Sequence, residues 1–376
     1  MKFYFLLIIL ILRVSYCWAI DTKAEQAIVI DFATNEILFE KNPDQAVPPA
    51  SMTKIMTSYV VFDSLNNTDL SIEDTCIITP KAYRMGGSRT FLEIDEQVSI
   101  NDLLRGIIIQ SGNDASIAIA ECLAGTEENF AILINDYSKK LCMKNTNFLN
   151  SSGWPDDNHY STVRDLGILS NFLIRDFPNL YTYFNEKEFT YNNIKQPNRN
   201  KLLSKVVGSD GLKTGYVKSS GFGIAGSAIR NERRITVVIN GTNSSRSRLN
   251  ESSNLLNWAF TQTSPVKLVS KNQIIKNVDV WLGNKPTVNL VVEKDVISIL
   301  SFDQIKLIKS TIHYEKPLSA PIKAGEEIGS MSIDIPGKPK IIVPLVADRN
   351  IHNVIPVMKI FTAIKYLIFG TSLDEV

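Results

Sequence analysis

Strand-like runs stand at both ends of the first 262 residues, with helical runs between them, and this order restricts the possible folds. Residues 26–42 contain "AIVID" and "EILFEK", two short strands that meet around Thr34-Asn35 and predict a hairpin. Strand-like runs return at 221–228 and 234–240, followed by a predicted helix, "SSNLLNWAF". Strands that bracket a helical middle are typical of an α+β domain whose sheet combines both ends of the domain.

The helical middle begins after Pro48-Pro49, which end the strand pattern. From Ser51 onward, apolar residues recur at helical spacing and predict a helix that starts at Ser51. These apolar residues are Met52, Ile55, Met56, Tyr59 and Phe62. Residues 101–124 hold two more helical runs, separated by Ser111-Gly112-Asn113.

The character of the sequence changes near Thr263-Ser264-Pro265. Residues 264–350 alternate apolar and polar positions between glycines and prolines, which predicts a small all-β domain after a domain of residues 20–263. The tail, residues 351–376, places apolar side chains on one helical face and Lys359 and Lys365 on the other. It is short for a membrane span, so we expect an amphipathic helix that lies in the membrane interface. A helix docked on its own protein is the alternative.

The N-terminus is typical of an export signal. Lys2 precedes an apolar run over residues 3–12, and small residues at 17 and 19 suit cleavage after Ala19, which predicts a signal peptide over 1–19. An uncleaved membrane anchor is the alternative. The hydrophobic content of 44% indicates a packed core, and the net charge of +1 argues against a nucleic-acid-binding surface.

Cysteine and histidine are sparse. After removal of the signal, Cys76, Cys122 and Cys142 remain, and no spacing among them resembles a disulfide framework or a zinc site. We expect them to be mostly buried thiols. With three histidines and no HExxH motif, we expect no metal site and no cofactor.

Ser51 and Lys54 form the first chemically informative pair. A serine hydroxyl needs a nearby base to become a nucleophile, and residues three apart on a helix share a face. Burial and neighbouring positive charge can keep a lysine neutral, and a helix N-terminus favours an oxyanion. Alone, S-x-x-K is a weak signal, because Ser264 and Lys267 form a second copy and a serine in this position can simply cap a helix.

Two further motifs follow in the chain. Ser111-Gly112-Asn113 lies between two helical runs, where the alternative is a turn whose asparagine caps the next helix. Lys213-Thr214-Gly215 directly precedes a strand, where the alternative is an ordinary turn. A phosphate-binding loop is excluded, since "GSDGLKT" lacks a glycine directly before the lysine.

The ordered set S-x-x-K, S-x-N and K-T-G resembles the signature of the penicillin-recognising serine enzymes. The flanking segments "ASMTKIMT", "RMGGSRTFL", "LLRGIIIQSGNDA", "NHYSTVRDL" and "DGLKTGYVKSSGFGIAGSA" are similar to the low-molecular-mass penicillin-binding proteins, the D-alanyl-D-alanine carboxypeptidases. The resemblance extends from about residue 24 to the tail and is most specific over the first 262 residues. It implies an α+β domain of the transpeptidase and β-lactamase-like fold, an antiparallel sheet with helices, followed by a small all-β domain and a membrane-binding C-terminal amphipathic helix.

The resemblance also implies roles in catalysis. Ser51 would attack the carbonyl between two terminal D-alanines, and Lys54 would accept its proton. Ser111 would relay a proton toward the departing D-alanine. Asn113 would hold the substrate amide and orient the lysine, while Lys213 would supply positive charge.

Substrate-binding roles follow in the same way. Thr214 would bind the terminal carboxylate beside Gly215, with Arg248 as the matching arginine and Arg246 as the near alternative. The backbone amides of Tyr216 and of the nucleophilic serine would form an oxyanion hole, often worth about 3 kcal/mol per donor. Many relatives carry histidine where this chain has Tyr216, a change that a backbone amide tolerates.

The implied function is a serine D,D-carboxypeptidase that removes the last D-alanine from peptidoglycan stem pentapeptides and that β-lactams acylate. It would be exported to the periplasmic face of the bacterial inner membrane, with the membrane surface as a partner of its tail. A β-lactamase, a D,D-endopeptidase and a non-catalytic wall-binding protein are the alternatives.

Overall fold

The computed structural model describes residues 20–354. The predicted signal peptide, 1–19, lies outside the described residues, and so does the predicted tail, 351–376, from residue 355 onward. The predicted start of the tail at 351 was wrong, because Ile351 is buried and bridges to Ile322, and Asn353 bridges to Gly283, within the β-rich part of the chain. The described chain forms two compact units: one of the residues up to Val29 with Phe39–Ile229 and Thr236–Trp258, the other of Ile30–Leu38, Arg230–Ile235 and the residues from Ala259 on. Because the second unit takes in two earlier segments, the predicted domain boundary at 263–264 stays a prediction.

Strands from both ends of the first 262 residues share one sheet, as predicted. The strands of this part are β1 Gln26–Asp31, β2 Ile37–Lys41, β3 Thr75–Ile77, β4 Gln97–Ser99, β5 Glu188–Tyr191, β6 Ile194–Pro197, β7 Ser209–Val217, β8 Gly221–Arg230 and β9 Arg233–Thr242. Five of them form a sheet in the order β2-β1-β9-β8-β7. The predicted N-terminal hairpin and the C-terminal strands are therefore confirmed, and β7 lies at an edge of the sheet.

Helices fill the middle of the chain. They are α1 Lys54–Asn67, α2 Pro80–Arg84, α3 Ile100–Arg105, α4 Asn113–Ala124, α5 Glu127–Lys140, α6 Val163–Asp176, α7 Leu202–Lys205 and α8 Ser245–Gln262. Helix α1 packs against α4, α5, α6 and β7, and its first nine residues are all buried. This central position explains why apolar residues occupy so much of its sequence.

The start of the first helix corrects one expectation. The α-helix begins at Lys54, and Ser51 lies in a preceding 3-10 turn, Ala50–Thr53. This turn is tighter than an α-helical turn, because the Met52 amide donates to the carbonyl oxygen of Pro49, three residues earlier, at 3.1 Å. Ala50 within it has a left-handed φ of 49°.

The cysteine expectation was wrong. Cys76 in β3 and Cys122 in α4 form a disulfide with a Cα–Cα distance of 5.6 Å, and Cys142 is exposed. The two partners are 46 residues apart in sequence. Packing of α4 against β3 brings them together, and their spacing carries no sign of that contact.

The second unit is built from strands, as the alternating pattern predicts. From Thr263 on, its elements are β10 Thr263–Val269, β11 Ile274–Trp281, β12 Thr287–Val291, β13 Val296–Ser301, the single-turn helix α9 Phe302–Ile305, β14 Lys309–Tyr314, β15 Leu318–Ser319, β16 Glu327–Asp334 and β17 Ile341–Ala347. β10 pairs with β13, and a six-stranded sheet has the order β14-β16-β17-β12-β11-β15. Alternate residues such as Val278, Val280 and Leu290 point into one apolar core. Between residues 20 and 354, no helix has the length and apolar character needed to cross a membrane.

Candidate active site

The 3-10 turn and helix α1 place Ser51 beside Lys54. The lysine Nζ lies 3.2 Å from the serine Oγ. Lys54 is completely buried, whereas Ser51 is partly exposed and lines a cavity of about 890 Å³. The serine hydroxyl is thus open to a ligand on one side and contacts a buried amine on the other.

Two fixed acceptors orient the amine of Lys54. Its Nζ donates to Asn113 Oδ1 at 2.7 Å and to the carbonyl oxygen of Ser152 at 2.6 Å. Neither oxygen can donate a proton to nitrogen. When the amine is neutral, its two N–H groups satisfy these acceptors and its lone pair is left for the hydroxyl of Ser51.

The surroundings favour that neutral amine. Burial, assisted by the Arg199 guanidinium, lowers the pKa of Lys54 from its ordinary value of 10.5 to about 7. The carboxylates of Asp114 and Glu127 act in the opposite direction. A lysine with this pKa is partly neutral near pH 7 and can accept a proton from Ser51.

Arg199 was not singled out by the sequence motifs. It lies in the polar segment after β6, lines the cavity, and is exposed to solvent. An isolated arginine in a loop carries no pattern of its own, so only the folded chain reveals its proximity to the lysines.

The S-x-N motif lies at the junction of two helical segments. Helix α3 continues into a π-helical turn, Gly106–Gln110, which ends at Ser111 in a left-handed conformation with φ of 68°. Ser111 is only 2% exposed and lines the cavity together with Asn113. Asn113 opens helix α4, and its Nδ2 donates to the carbonyl oxygen of Gly86 at 2.8 Å.

Asp114, the residue after this motif, holds the loop beside it. The buried carboxylate accepts hydrogen bonds from the backbone amides of Thr90 at 2.8 Å and Phe91 at 3.0 Å. The same loop supplies the carbonyl of Ser88, which accepts from the Asn113 amide at 2.7 Å. Asp114 therefore fixes the loop that carries cavity residues Gly87 and Ser88, a role that the motif pattern does not indicate.

The K-T-G motif, which the sequence places just before the strand at 221–228, lies inside a strand of its own, edge strand β7, and runs along the cavity. Thr214, Gly215 and Tyr216 line it, while Lys213 is buried beneath, with only 1% exposed. Burial first, then the charges of Lys54 and two arginines, lower the pKa of Lys213. An edge strand offers free backbone groups to an extended peptide.

Gly215 lets β7 pass close to the 3-10 turn that carries Ser51. A Cβ at this position would lie 2.8 Å from the carbonyl oxygen of Pro49 and 3.3 Å from Ala50 Cβ. The absence of a side chain is therefore what brings β7 next to Ser51.

Of the two arginines considered from sequence, the structure brings Arg248 to the cavity. Its guanidinium is mostly buried, donates to the carbonyl oxygen of Gly215 at 3.3 Å, and lies over the ring of Phe222. Burial, with the charge of Arg199, lowers the pKa of Arg248 to about 10. Arg246 is exposed and is not among the residues that line the cavity.

The arrangement places a serine hydroxyl, a buried lysine amine of lowered pKa and several cationic side chains around one cavity. Across residues 20–354 the structure has no group of three or more His, Cys, Asp or Glu side chains placed to hold a metal ion. What the described residues can do chemically is acyl transfer to Ser51, with a carboxylate-bearing peptide held by β7 and the arginines.

Comparison with known proteins agrees with this geometry. Residues 14–243 match the family model "D-alanyl-D-alanine carboxypeptidase", and residues 264–353 match "Penicillin-binding protein 5, C-terminal domain". The chain is 38% identical over 343 residues to D-alanyl-D-alanine carboxypeptidase DacC of Escherichia coli strain K12, covering 89% of this chain and 85% of that protein.

Two solved structures are similar over most of their length. The carboxypeptidase DacD from Francisella tularensis has a TM-score of 0.79 at 28% identity, covering 89% of this chain and 95% of that chain. Penicillin-binding protein 5 from Haemophilus influenzae has a TM-score of 0.72 at 34% identity, covering 89% of this chain and 98% of that chain.

Proposed function

Because this chain belongs to the D-alanyl-D-alanine carboxypeptidase family, we propose that Ser51 is its nucleophile and that Lys54 is the base. The chain is a serine-type D-alanyl-D-alanine carboxypeptidase. Its substrate is a peptidoglycan stem peptide that ends in D-alanyl-D-alanine, and β-lactams acylate the same serine. The observation that carries the assignment is the 3.2 Å contact between Ser51 Oγ and Lys54 Nζ.

Acylation begins with proton transfer from the Ser51 hydroxyl to the neutral Lys54 amine. Oγ bonds to the carbonyl carbon of the penultimate D-alanine, and the backbone amides of Ser51 and Tyr216 stabilise the resulting oxyanion. The proton passes from Lys54 through Ser111 to the departing nitrogen as the C–N bond breaks. Free D-alanine leaves, and Ser51 carries the shortened peptide as an ester.

Deacylation returns the enzyme to its starting state. A water molecule attacks the ester carbonyl, the bond to Ser51 Oγ breaks, and the serine regains a proton. The products are one D-alanine and a peptide shortened by one residue.

Substrate orientation comes from the cations and the edge strand. Thr214 and Arg248 bind the terminal carboxylate, and Lys213 adds positive charge beneath them. Asn113 uses Nδ2 to bind the substrate amide, since its Oδ1 is engaged by Lys54. Gly215 lets β7 lie close to the turn that carries Ser51.

A labelled penicillin tests the nucleophile directly. We expect stoichiometric covalent label on the wild-type protein and none on Ser51→Ala. Ser264→Ala is a matched control, because Ser264 and Lys267 form the second S-x-x-K in this chain but lie on strand β10. Label that survives Ser51→Ala, or that disappears in Ser264→Ala, contradicts the assignment.

Product analysis separates the enzymatic alternatives. A peptide ending in D-alanyl-D-alanine should yield free D-alanine and the shortened peptide, whereas an endopeptidase cleaves cross-linked dimers. An adduct with penicillin that persists for many minutes agrees with a carboxypeptidase, and rapid hydrolysis of the antibiotic indicates a β-lactamase.

The exported location rests on independent features. A disulfide such as Cys76–Cys122 persists in an oxidising compartment and is rare in the cytosol. With the charge and apolar pattern of residues 1–19, this supports cleavage after Ala19 and action at the periplasmic face of the inner membrane. Mass spectrometry of the mature N-terminus tests the cleavage.

The C-terminal part has a separate proposed role. Residues 264–350 belong to the β-rich domain, and the bridges of Ile351 to Ile322 and of Asn353 to Gly283 extend it slightly. The rest of the tail, from residue 355 on, binds the membrane surface. Flotation of the full chain with anionic vesicles, compared with a chain that ends at Val354, tests the second statement. Equal flotation of both chains argues against the tail as an anchor.

A further inference from the structure

The cavity carries more positive charge than one terminal carboxylate requires. Its lining includes Arg199, Lys201, Lys218 and Arg248, and no aspartate or glutamate of residues 20–354 is among the lining residues. A single carboxylate brings one negative charge. The remaining cations therefore favour further anionic groups on the peptide.

The two lysines lie at opposite ends of strand β7. Leu202, which follows Lys201, contacts Gly226, and Gly226 pairs with Leu212 near the start of β7. Lys218 directly follows the last residue of the strand. At about 3.3 Å per residue, the path along the strand from Leu212 to Lys218 is about 20 Å.

The position of the reacting carbonyl sets the direction in which the bound peptide runs along β7. In the proposed complex the terminal carboxylate lies at Thr214 and the oxyanion at the amide of Tyr216. The acyl part of the peptide, which stays on the enzyme after D-alanine leaves, continues past Tyr216 toward Lys218.

The backbone that carries Lys218 is fixed. Ser220, in the same turn, donates from Oγ to the carbonyl oxygen of Pro48 at 3.0 Å and accepts at its own carbonyl from Asn240 Nδ2 at 3.2 Å. The side chain of Lys218 is exposed, lines the cavity, and forms no ion pair within the part of the chain that the structure describes. A held backbone and an unengaged amine suit the capture of an anionic group from a ligand.

We infer that Lys218 is a specificity-determining residue that binds a side-chain carboxylate in the substrate residue preceding D-alanyl-D-alanine. The inference rests on the proposed function, since it uses the substrate direction set by the acyl-enzyme. The enzyme should therefore act faster on peptides with a free carboxylate at that residue than on peptides in which the carboxylate is amidated. The physical basis is one ion pair between a partly solvated ammonium and a carboxylate.

Two synthetic peptides isolate that ion pair. N-acetyl-L-glutamyl-D-alanyl-D-alanine and N-acetyl-L-glutaminyl-D-alanyl-D-alanine differ only in a carboxylate and a carboxamide. The ratio of their kcat/KM values for D-alanine release, at low ionic strength, measures the preference. We expect wild type to favour the glutamyl peptide about two- to fivefold, the range of a partly exposed ion pair.

Variants of the two lysines provide the contrast. Lys218→Gln should bring the ratio to about one, and Lys218→Glu should reverse it. Lys201→Gln is the matched control, because it removes the same charge from the other end of the cavity and should leave the ratio at its wild-type value. In wild type, 0.5 M salt should reduce the preference because exposed charges are screened.

The outcomes separate this inference from the proposed function. D-alanine released from both peptides at equal rates, or a preference that Lys218→Gln retains, overturns the inference alone. An equal loss of preference in Lys201→Gln overturns it as well, because the effect is then general to the positive cavity. No D-alanine from either peptide, with no penicillin label on Ser51, overturns the proposed function and the inference together.

Discussion

Removal of the positive charge of Arg199 should move the pH dependence of acylation upward. The pKa of Lys54, about 7, makes the amine about one tenth neutral at pH 6 and about nine tenths neutral at pH 8. A lysine with the ordinary value of 10.5 would be neutral in only about three molecules in ten thousand at pH 7. This difference corresponds to about 5 kcal/mol in favour of the neutral form.

Burial supplies the larger part of that effect, and Arg199 the next. Its guanidinium is partly exposed, so solvent screens its charge. We therefore expect Arg199→Gln to raise the midpoint of the acylation profile by about half to one pH unit. At pH 7 the rate should fall about two- to fivefold, and at pH 9 it should return to the wild-type value.

Stopped-flow acylation by a chromogenic β-lactam from pH 5.5 to 9.5 measures this profile. Arg199→Lys keeps the charge and should keep the midpoint. A uniform loss of rate at every pH with an unchanged midpoint would refute the reasoning, since it would mean that Arg199 acts by contact with the ligand and not through the charge of Lys54.

Four further outcomes follow from the structure. Lys54→Met should abolish acylation. It should nevertheless raise the free energy of unfolding at pH 7 by about 2 kcal/mol, because removing the cost of burying the lysine amine outweighs the loss of its hydrogen bonds. Wild-type stability should rise with pH between about 7 and 10.5, because the unfolded state binds the extra proton there, and urea titrations across that range check both statements. Gly215→Ala places a methyl group 2.8 Å from the backbone carbonyl oxygen of Pro49, so the strand or the turn must shift. It should slow acylation about 10- to 100-fold and also lower thermal stability; an unchanged rate contradicts the close-approach argument. Cys122→Ser opens a disulfide that joins residues 46 apart and should lower the free energy of unfolding by about 4 kcal/mol, whereas the same change at the exposed Cys142 should have little effect.

Local patterns predicted most elements of the fold. The N-terminal hairpin, the two helical runs around Ser111–Asn113 and the strands after residue 220 all follow from periodicity, because side-chain burial repeats every two residues in a strand and about every 3.6 in a helix. The exact start of α1 did not follow, since a 3-10 turn and an α-helix share the same apolar spacing over a single turn.

Contacts between distant segments were less predictable. The Cys76–Cys122 disulfide was missed because its partners meet through packing of α4 on β3. Arg199 and Asp114 were also missed, since neither belongs to a recurring pattern and each acts on residues far away in sequence.

The amino-acid sequence by itself determined which residue types were available and in what order: S-x-x-K, S-x-N and K-T-G, the first two beside helical runs that periodicity predicted. Only the tertiary structure decided that Asn113 and the Ser152 carbonyl orient the amine of Lys54 and that burial with Arg199 lowers its pKa. Spacing along the chain specifies the geometry within a helix turn or a strand. A proton affinity depends instead on the groups that surround the amine in space, and those neighbours come from segments that are far apart in the chain.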